Sequence, residues 1–229
     1  MEKKNTKGEI IDFIKDLIII WIIVLIIRTF LAEPFQISGQ SMYASYYDKE
    51  FIIVDRFSYL DIPIIKESNI NRWDVVVLKP GVSKEKEYYL KRIIGLGWET
   101  IKIKDWDVFL KKVWETEFSK LDEKYLNEEN NWNTKIGNLK TEHIFKIPKW
   151  KFFVMWDNRN HSSDSRRCFS VSCSIWKPRD PFISKEHLVG KVLIDLGYFN
   201  FTEFDFIQPN LWIKTTPRWL SSPSTYNYE

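Results

Sequence analysis

The chain has 229 residues, 34 of them Lys or Arg and 31 Asp or Glu, for a formal net charge of +3. These charges are spread along the chain with no continuous basic stripe, which argues against nucleic acid as a partner. With 44% hydrophobic residues it can bury the core of one sizeable domain, and its two cysteines, Cys168 and Cys173, are too few for a disulfide framework.

The first element is apolar. Residues 17–27 read without a polar interruption, and Ile10, Ile11, Phe13 and Ile14 extend the stretch upstream around Asp12, Lys15 and Asp16. A membrane-spanning helix needs roughly 20 mostly apolar residues. The window 14–32 meets that length if Arg28 snorkels outward. A cleaved secretory signal has a similar start, but Ala32 stands alone before Glu33-Pro34 and no A-x-A cleavage site is present. A buried core helix is the third reading. Lys3, Lys4 and Lys7 ahead of the span favour an uncleaved anchor, with residues 1–13 cytoplasmic and the remainder across the membrane, in contact with membrane lipid.

Strand-like runs follow at 51–54, 74–78, 88–94, 100–103, 108–110, 152–155 and 190–194, short, β-branched or aromatic, and bounded by turn residues. They predict a mainly-β domain with a folded-sheet or barrel-like core over 33–110 and 146–200. Residues 111–145 are rich in Lys, Glu and Asn and read as a solvated insertion; 201–229 read as a loose tail.

A hydroxyl nucleophile needs a group to take its proton, most often histidine. His143, His161 and His187 sit in no recognisable triad motif. A lysine serves instead where burial penalises its ammonium form. Lys91 lies in the apolar run Tyr88-Tyr89-Leu90-Lys91-Arg92-Ile93-Ile94, where strand alternation points it away from Arg92. Alone, Lys91 reads as a surface lysine and Ser41 as a turn residue.

Their joint context resembles bacterial type I signal peptidases. Ser38-Gly39-Gln40-Ser41-Met42, just after the apolar stretch, resembles that family's nucleophile block. Arg72-Trp73-Asp74-Val75-Val76-Val77-Leu78 and Tyr89-Leu90-Lys91-Arg92-Ile93-Ile94-Gly95-Leu96 resemble the next strand and the general-base block. Met155-Trp156-Asp157-Asn158-Arg159, continuing through Ser162-Ser163-Asp164-Ser165-Arg166, resembles the Gly-Asp-Asn-Arg…Ser-x-Asp-Ser-Arg block. The resemblance implies a Ser/Lys-dyad serine endopeptidase that cuts signal peptides from exported preproteins without a metal or other cofactor. Ser41 would be the nucleophile and Lys91 the general base. The Ser41 main-chain N–H would hold the oxyanion and Ser162 would orient the lysine. Met42 would wall the pocket, and Asp157, Asn158, Arg159, Asp164 and Arg166 would brace the site. An extracytoplasmic site would favour a disulfide between Cys168 and Cys173. Gly39 and Ala44 depart from one branch's serine and from the usual proline. A catalytically inactive, membrane-anchored peptide-binding β module is the alternative, and a self-cleaving Ser-Lys protease a third.

One departure is systematic. Trp73, Trp98, Trp106, Trp150 and Trp156 stand where the family pattern has glycine. The chain's 11 tryptophans and 8 glycines together make about 8%, near the ordinary share of the pair. Reading UGA codons as glycine would explain this; a divergent, tryptophan-rich homologue is the other explanation.

Overall fold

The computed structural model describes residues 6–26, 32–43, 45–56, 70–79, 88–131, 134, 136, 142–160, 163–169, 180–200, 202–203, 205–207 and 218–219. Helix α1 (Thr6–Ile26) carries Glu9, Asp12, Lys15 and Asp16 in its first half and an unbroken apolar run after them. Its large apolar side chains, from Ile10 to Leu25, are exposed. Among the described residues no helix is long and apolar enough to cross a membrane. The helix begins upstream of the expected 14–32 window, and residues 27–31 of that window lie outside the described residues. Ala32 is not helical: it opens strand β1 (Ala32–Gln36), where it pairs with Asp55.

The mainly-β expectation holds. Strands β2 (Phe51–Asp55), β3 (Val75–Leu78), β4 (Tyr89–Gly95), β9 (Lys151–Met155), β10 (Ile183–Ser184) and β11 (Leu188–Asn200) join β1 in a sheet ordered β1-β2-β11-β3-β4-β9-β10. Two short strands, β12 (Asp205–Ile207) and β13 (Arg218–Trp219), also pair with β11. A second sheet has the order β7-β6-β5-β8, from β5 (Thr100–Lys104), β6 (Asp107–Lys111), β7 (Ser119–Lys120) and β8 (His143–Lys146). Register shifts between Val192 and Ile194 and between Asp195 and Gly197 let the long β11 bend as it runs along β2. Gly190 is required where β11 meets β2, because a Cβ there would stand 2.3 Å from the Asp55 carbonyl oxygen.

Strand β4 is the spine of the larger sheet. Its residues from Lys91 to Gly95 are buried on both faces, between β3 and β9, with Val76 opposite Lys91 and Met155 opposite Arg92. On one side Ile37, Met42, Tyr46, Ile52, Val54, Val75, Val77 and Val192 form a core; on another, Ile94, Ile101, Val108, Tyr125, Ile147, Phe153 and Met155 form a second. Residues 111–145, expected as a solvated insertion, supply part of β8 and the buried side chains Tyr125, Asn130 and Thr134. Composition hid these few inward-facing groups among many charged ones.

Four tryptophans occupy left-handed backbone: Trp73 (φ 76°), Trp98 (φ 71°), Trp106 (φ 73°) and Trp150 (φ 63°). The Cβ of an L-residue collides there with the following carbonyl oxygen, at roughly 1–2 kcal/mol per residue. Four such residues cost about 4–8 kcal/mol, against a net stability of about 5–15 kcal/mol for a typical domain. That is a large load for one chain to carry.

Candidate active site

Alternation along β4 separates its two basic side chains. Lys91 turns to the side of Tyr89, and its Nζ sits 4.7 Å from the Tyr89 ring centroid and 3.9 Å from that of Trp156. The amine is fully buried and has no hydrogen-bond partner among the described residues. Burial holds the Lys91 amine well below the ordinary lysine value of 10.5, with the Asp164 carboxylate pulling it back upward. Such an amine is neutral where an exposed lysine is charged, and it can accept a proton.

Ser41 lies on the loop between β1 and β2. The loop is closed at its base by Ile37 N–H donating to the Glu50 carbonyl and Lys49 N–H donating to the Ile37 carbonyl, both at 2.8 Å. Gly39 adopts φ 94°, and its N–H donates to the Asp48 carboxylate at 2.7 Å. Met42 is buried in the first core, and its carbonyl accepts the N–H groups of Ser45 and Tyr46. Ser41 itself stays half-buried, on the wall of a cleft of about 620 Å³ lined also by Ser38, Tyr88, Tyr89, Trp156 and Asn158. A second hollow running from Phe35 to Leu90 shares Ser38, Ser41, Tyr88 and Tyr89 with it.

Asn158 clips this loop to the turn after β9. Its main-chain N–H donates to the Ser41 carbonyl, and its side-chain amide to the Gln40 carbonyl, each at 3.0 Å. Trp156 touches both halves of the site, because it lines the cleft with Ser41 while its ring covers the Lys91 amine. No hydrogen bond joins Ser41 to Lys91.

Three buried ion pairs stand behind these groups. Arg92, pointing away from Lys91, grips Asp157 with Nε to Oδ1 at 2.9 Å and Nη2 to Oδ2 at 2.6 Å. Burial alone would lower the Arg92 value, but the Asp157 charge and hydrogen bonds outweigh it and raise it. Arg159 reaches into the insertion, donating to Glu123, Thr134 and the Tyr125 hydroxyl. Arg166 pairs with Asp164 at 2.8 Å and donates to the Arg159 carbonyl at 3.1 Å. Asp164 also accepts the Trp156 N–H at 3.2 Å. Asp157, Arg159, Asp164 and Arg166 thus all stand in buried ion pairs, and Arg92 and Glu123 complete those pairs although the sequence alone did not single them out.

Ser162, Ala44, His161 and Cys173 lie outside the described residues. Cys168 is disulfide-bonded, and its backbone is left-handed at φ 53°. Among the described residues no cluster of His, Cys, Asp and Glu could hold a metal ion.

The family model for signal peptidase, peptidase S26, matches residues 10–196. Signal peptidase I P of Bacillus subtilis subsp. natto is 35% identical over 168 residues, 72% of this chain and 83% of the relative. Signal peptidase I T of Bacillus subtilis (strain 168) is 32% identical over 177 residues, 72% of this chain and 84% of the relative. A solved signal peptidase I from Enterococcus faecalis overlays 53% of this chain and 94% of its own at a TM-score of 0.34 and 19% identity, too loosely to carry argument. With most of its length, from α1 through the greater part of β11, matched by that family model, the chain belongs to the signal peptidase family, peptidase S26.

Proposed function

We propose that this peptidase is anchored in the cytoplasmic membrane by its N-terminal apolar segment and removes signal peptides from exported preproteins with a Ser41/Lys91 dyad. The observation that carries the reading is a fully buried lysine amine, without a hydrogen-bond partner among the described residues, beside the cleft that Ser41 lines. Neutral Lys91 takes the Ser41 hydroxyl proton as Oγ bonds to the scissile carbonyl carbon. The ammonium then returns that proton to the leaving amine as the C–N bond breaks. Lys91 next deprotonates a water that hydrolyses the acyl ester and frees Ser41. The Ser41 main-chain N–H stabilises the oxyanion, and Ser162 orients the lysine. Extended substrate docks as an added strand along the hollow between β1 and β4, with small side chains before the cut. Met42 shapes the pocket wall and Asp157, Arg159, Asp164 and Arg166 hold the surrounding loops.

The exposed apolar side chains of α1 from Leu17 to Leu25 suit lipid better than water. Residues 1–13 would stay cytoplasmic with the catalytic domain outside, where a Cys168–Cys173 bridge persists. Residues 33–110 and 146–200 make the catalytic core, 111–145 an insertion and 201–229 a tail.

The test is cleavage of a purified preprotein by the chain reconstituted in vesicles, followed by N-terminal sequencing of the product. Because the Lys91 amine is lowered, kcat/KM should rise with pH through that lowered value and level off well below 10.5. A rise centred on an ordinary lysine would refute Lys91 as the base. Asn158→Ala removes the side-chain bond to Gln40 but keeps the main-chain bond to Ser41. It should lower kcat by about 10²-fold through misplacement of the loop, with KM and the melting temperature little changed. An unaltered kcat would remove Asn158 from the positioning machinery.

A further inference from the structure

We infer that positions 73, 98, 106, 150 and 156 carry glycine in the protein as its own cells make it, through UGA codons read as glycine. The backbone argues this without reference to any relative. Trp73, Trp98 and Trp150 each hold the third place of a four-residue β-turn. Those turns are closed by Asp74 N–H to the Asn71 carbonyl at 3.2 Å, Glu99 N–H to Leu96 at 3.1 Å and Lys151 N–H to Pro148 at 3.2 Å. Trp106 holds the same place in the two-residue loop between β5 and β6, after Asp105 at φ 50°. A positive φ at that place calls for glycine or asparagine, and Asp-Gly is the standard pair for such a loop.

The same bulky residue in four glycine slots of four separate turns is not a shared packing solution, although Trp73 lies against the second core and faces Tyr125 at 5.4 Å. Trp98 and Trp150 are 61% and 74% exposed, so their indoles bury little in return for the strained backbone. Gly97 adds a steric point: a Cβ there would come within 3.1 Å of the Trp150 amide nitrogen, so these two turns abut backbone to backbone.

Trp156 has ordinary φ and is assigned on different grounds. Its indole lies over the Lys91 amine at 3.9 Å, and its own Nε1 is buried with no partner among the described residues. The ring stands where the amine would otherwise face the cleft that Ser41 lines. Glycine at 156 removes the unpartnered donor and opens the lysine to the cleft. One reading of one codon thus relaxes four turns and clears the fifth site.

Two experiments decide it. Protein purified from its source cells is digested with trypsin, and the peptides 93–102, 105–111 and 152–159 are weighed; they report positions 98, 106 and 156. Glycine masses are expected in all three, and a tryptophan mass in any of them overturns the inference. In parallel the chain is made in a standard host as written and with Trp98→Gly, Trp106→Gly and Trp150→Gly combined. The triple variant should melt at a higher temperature; an equal or lower melting temperature would count against the backbone argument. Adding Trp156→Gly should raise kcat by about 10²-fold. The functional reading could fail with glycine masses present, or hold with them absent, because peptide masses do not depend on activity.

Discussion

Replacing Ser41 by alanine is expected to lower preprotein cleavage by at least about 10⁴-fold, and Lys91→Ala should match it, because members of a catalytic unit fail together. The double variant should be no worse than either single one. Ser41 is half-buried and its loop is held by main-chain bonds, so Ser41→Ala should melt like the parent. Lys91→Met separates chemistry from folding. The folded-state amine titrates well below its unfolded value of 10.5, and between the two the unfolded chain binds more protons. Stability therefore rises with pH across that window and is lowest below it, so at neutral pH Lys91 is a burden on the fold. Methionine fills the same space with no polar atom to bury. Lys91→Met should abolish cleavage while stabilising the protein by about 1–3 kcal/mol, read as a shift of the urea midpoint at unchanged slope. Retained cleavage in either single alanine variant or in Lys91→Met would defeat the dyad assignment, and loss of stability in Lys91→Met would defeat the reading of the amine as a buried burden on the fold.

Much of this arrangement was legible in the chain, and the reasons are local. The runs at 51–54, 100–103 and 108–110 are short, β-branched or aromatic and bounded by charged or turn residues, so β2, β5 and β6 declare themselves, although their alternating burial shows in the hydrophobic pattern only at 100–103. Strand β1 does not, because Pro34 breaks the run; it is tolerated at the edge of the sheet, where no further strand pairs beyond β1 among the described residues. The end of β11 was also hidden, since Asp195 and Gly197 look like a turn but sit in register shifts of a bent strand. Lys91 could be found from its apolar strand neighbours. The partner of Arg92 could not, being 65 residues away in sequence and chosen by the closure of the sheet. The same holds for Arg159, whose acceptors Glu123 and Thr134 come from a tract that looks merely soluble. Long-range polar pairs carry no periodic signal, and only the fold brings them together.

The pair least visible in sequence has the largest expected effect on stability. Asp157→Ala should cost about 3–5 kcal/mol, because it strands a fully buried guanidinium. Among the described residues Arg92 would keep the Trp73 carbonyl at 2.8 Å, the Ser45 hydroxyl at 3.4 Å and the face of Tyr125 at 4.1 Å. None of these carries the negative charge that Asp157 supplies through two parallel bonds. Asp157→Asn should fall between parent and alanine, since it preserves shape and one acceptor. Changing both partners, as in Arg92→Met with Asp157→Leu, should recover most of the loss, because the penalty lies in the unpaired charge more than in the missing attraction. Guanidinium midpoints of the parent, Arg92→Met, Asp157→Leu and the double variant form the cycle that measures this. A loss below about 1 kcal/mol in Asp157→Ala would mean that water reaches Arg92 and that the pair is not a buried one. The consequence extends to catalysis: Asp157 immediately precedes Asn158, whose two bonds hold Gln40 and Ser41 in place. Loosening the Arg92 grip should therefore lower kcat in step with stability, whereas Asn158→Ala lowers kcat alone. That difference identifies Asp157 as a residue acting on the nucleophile loop through the fold.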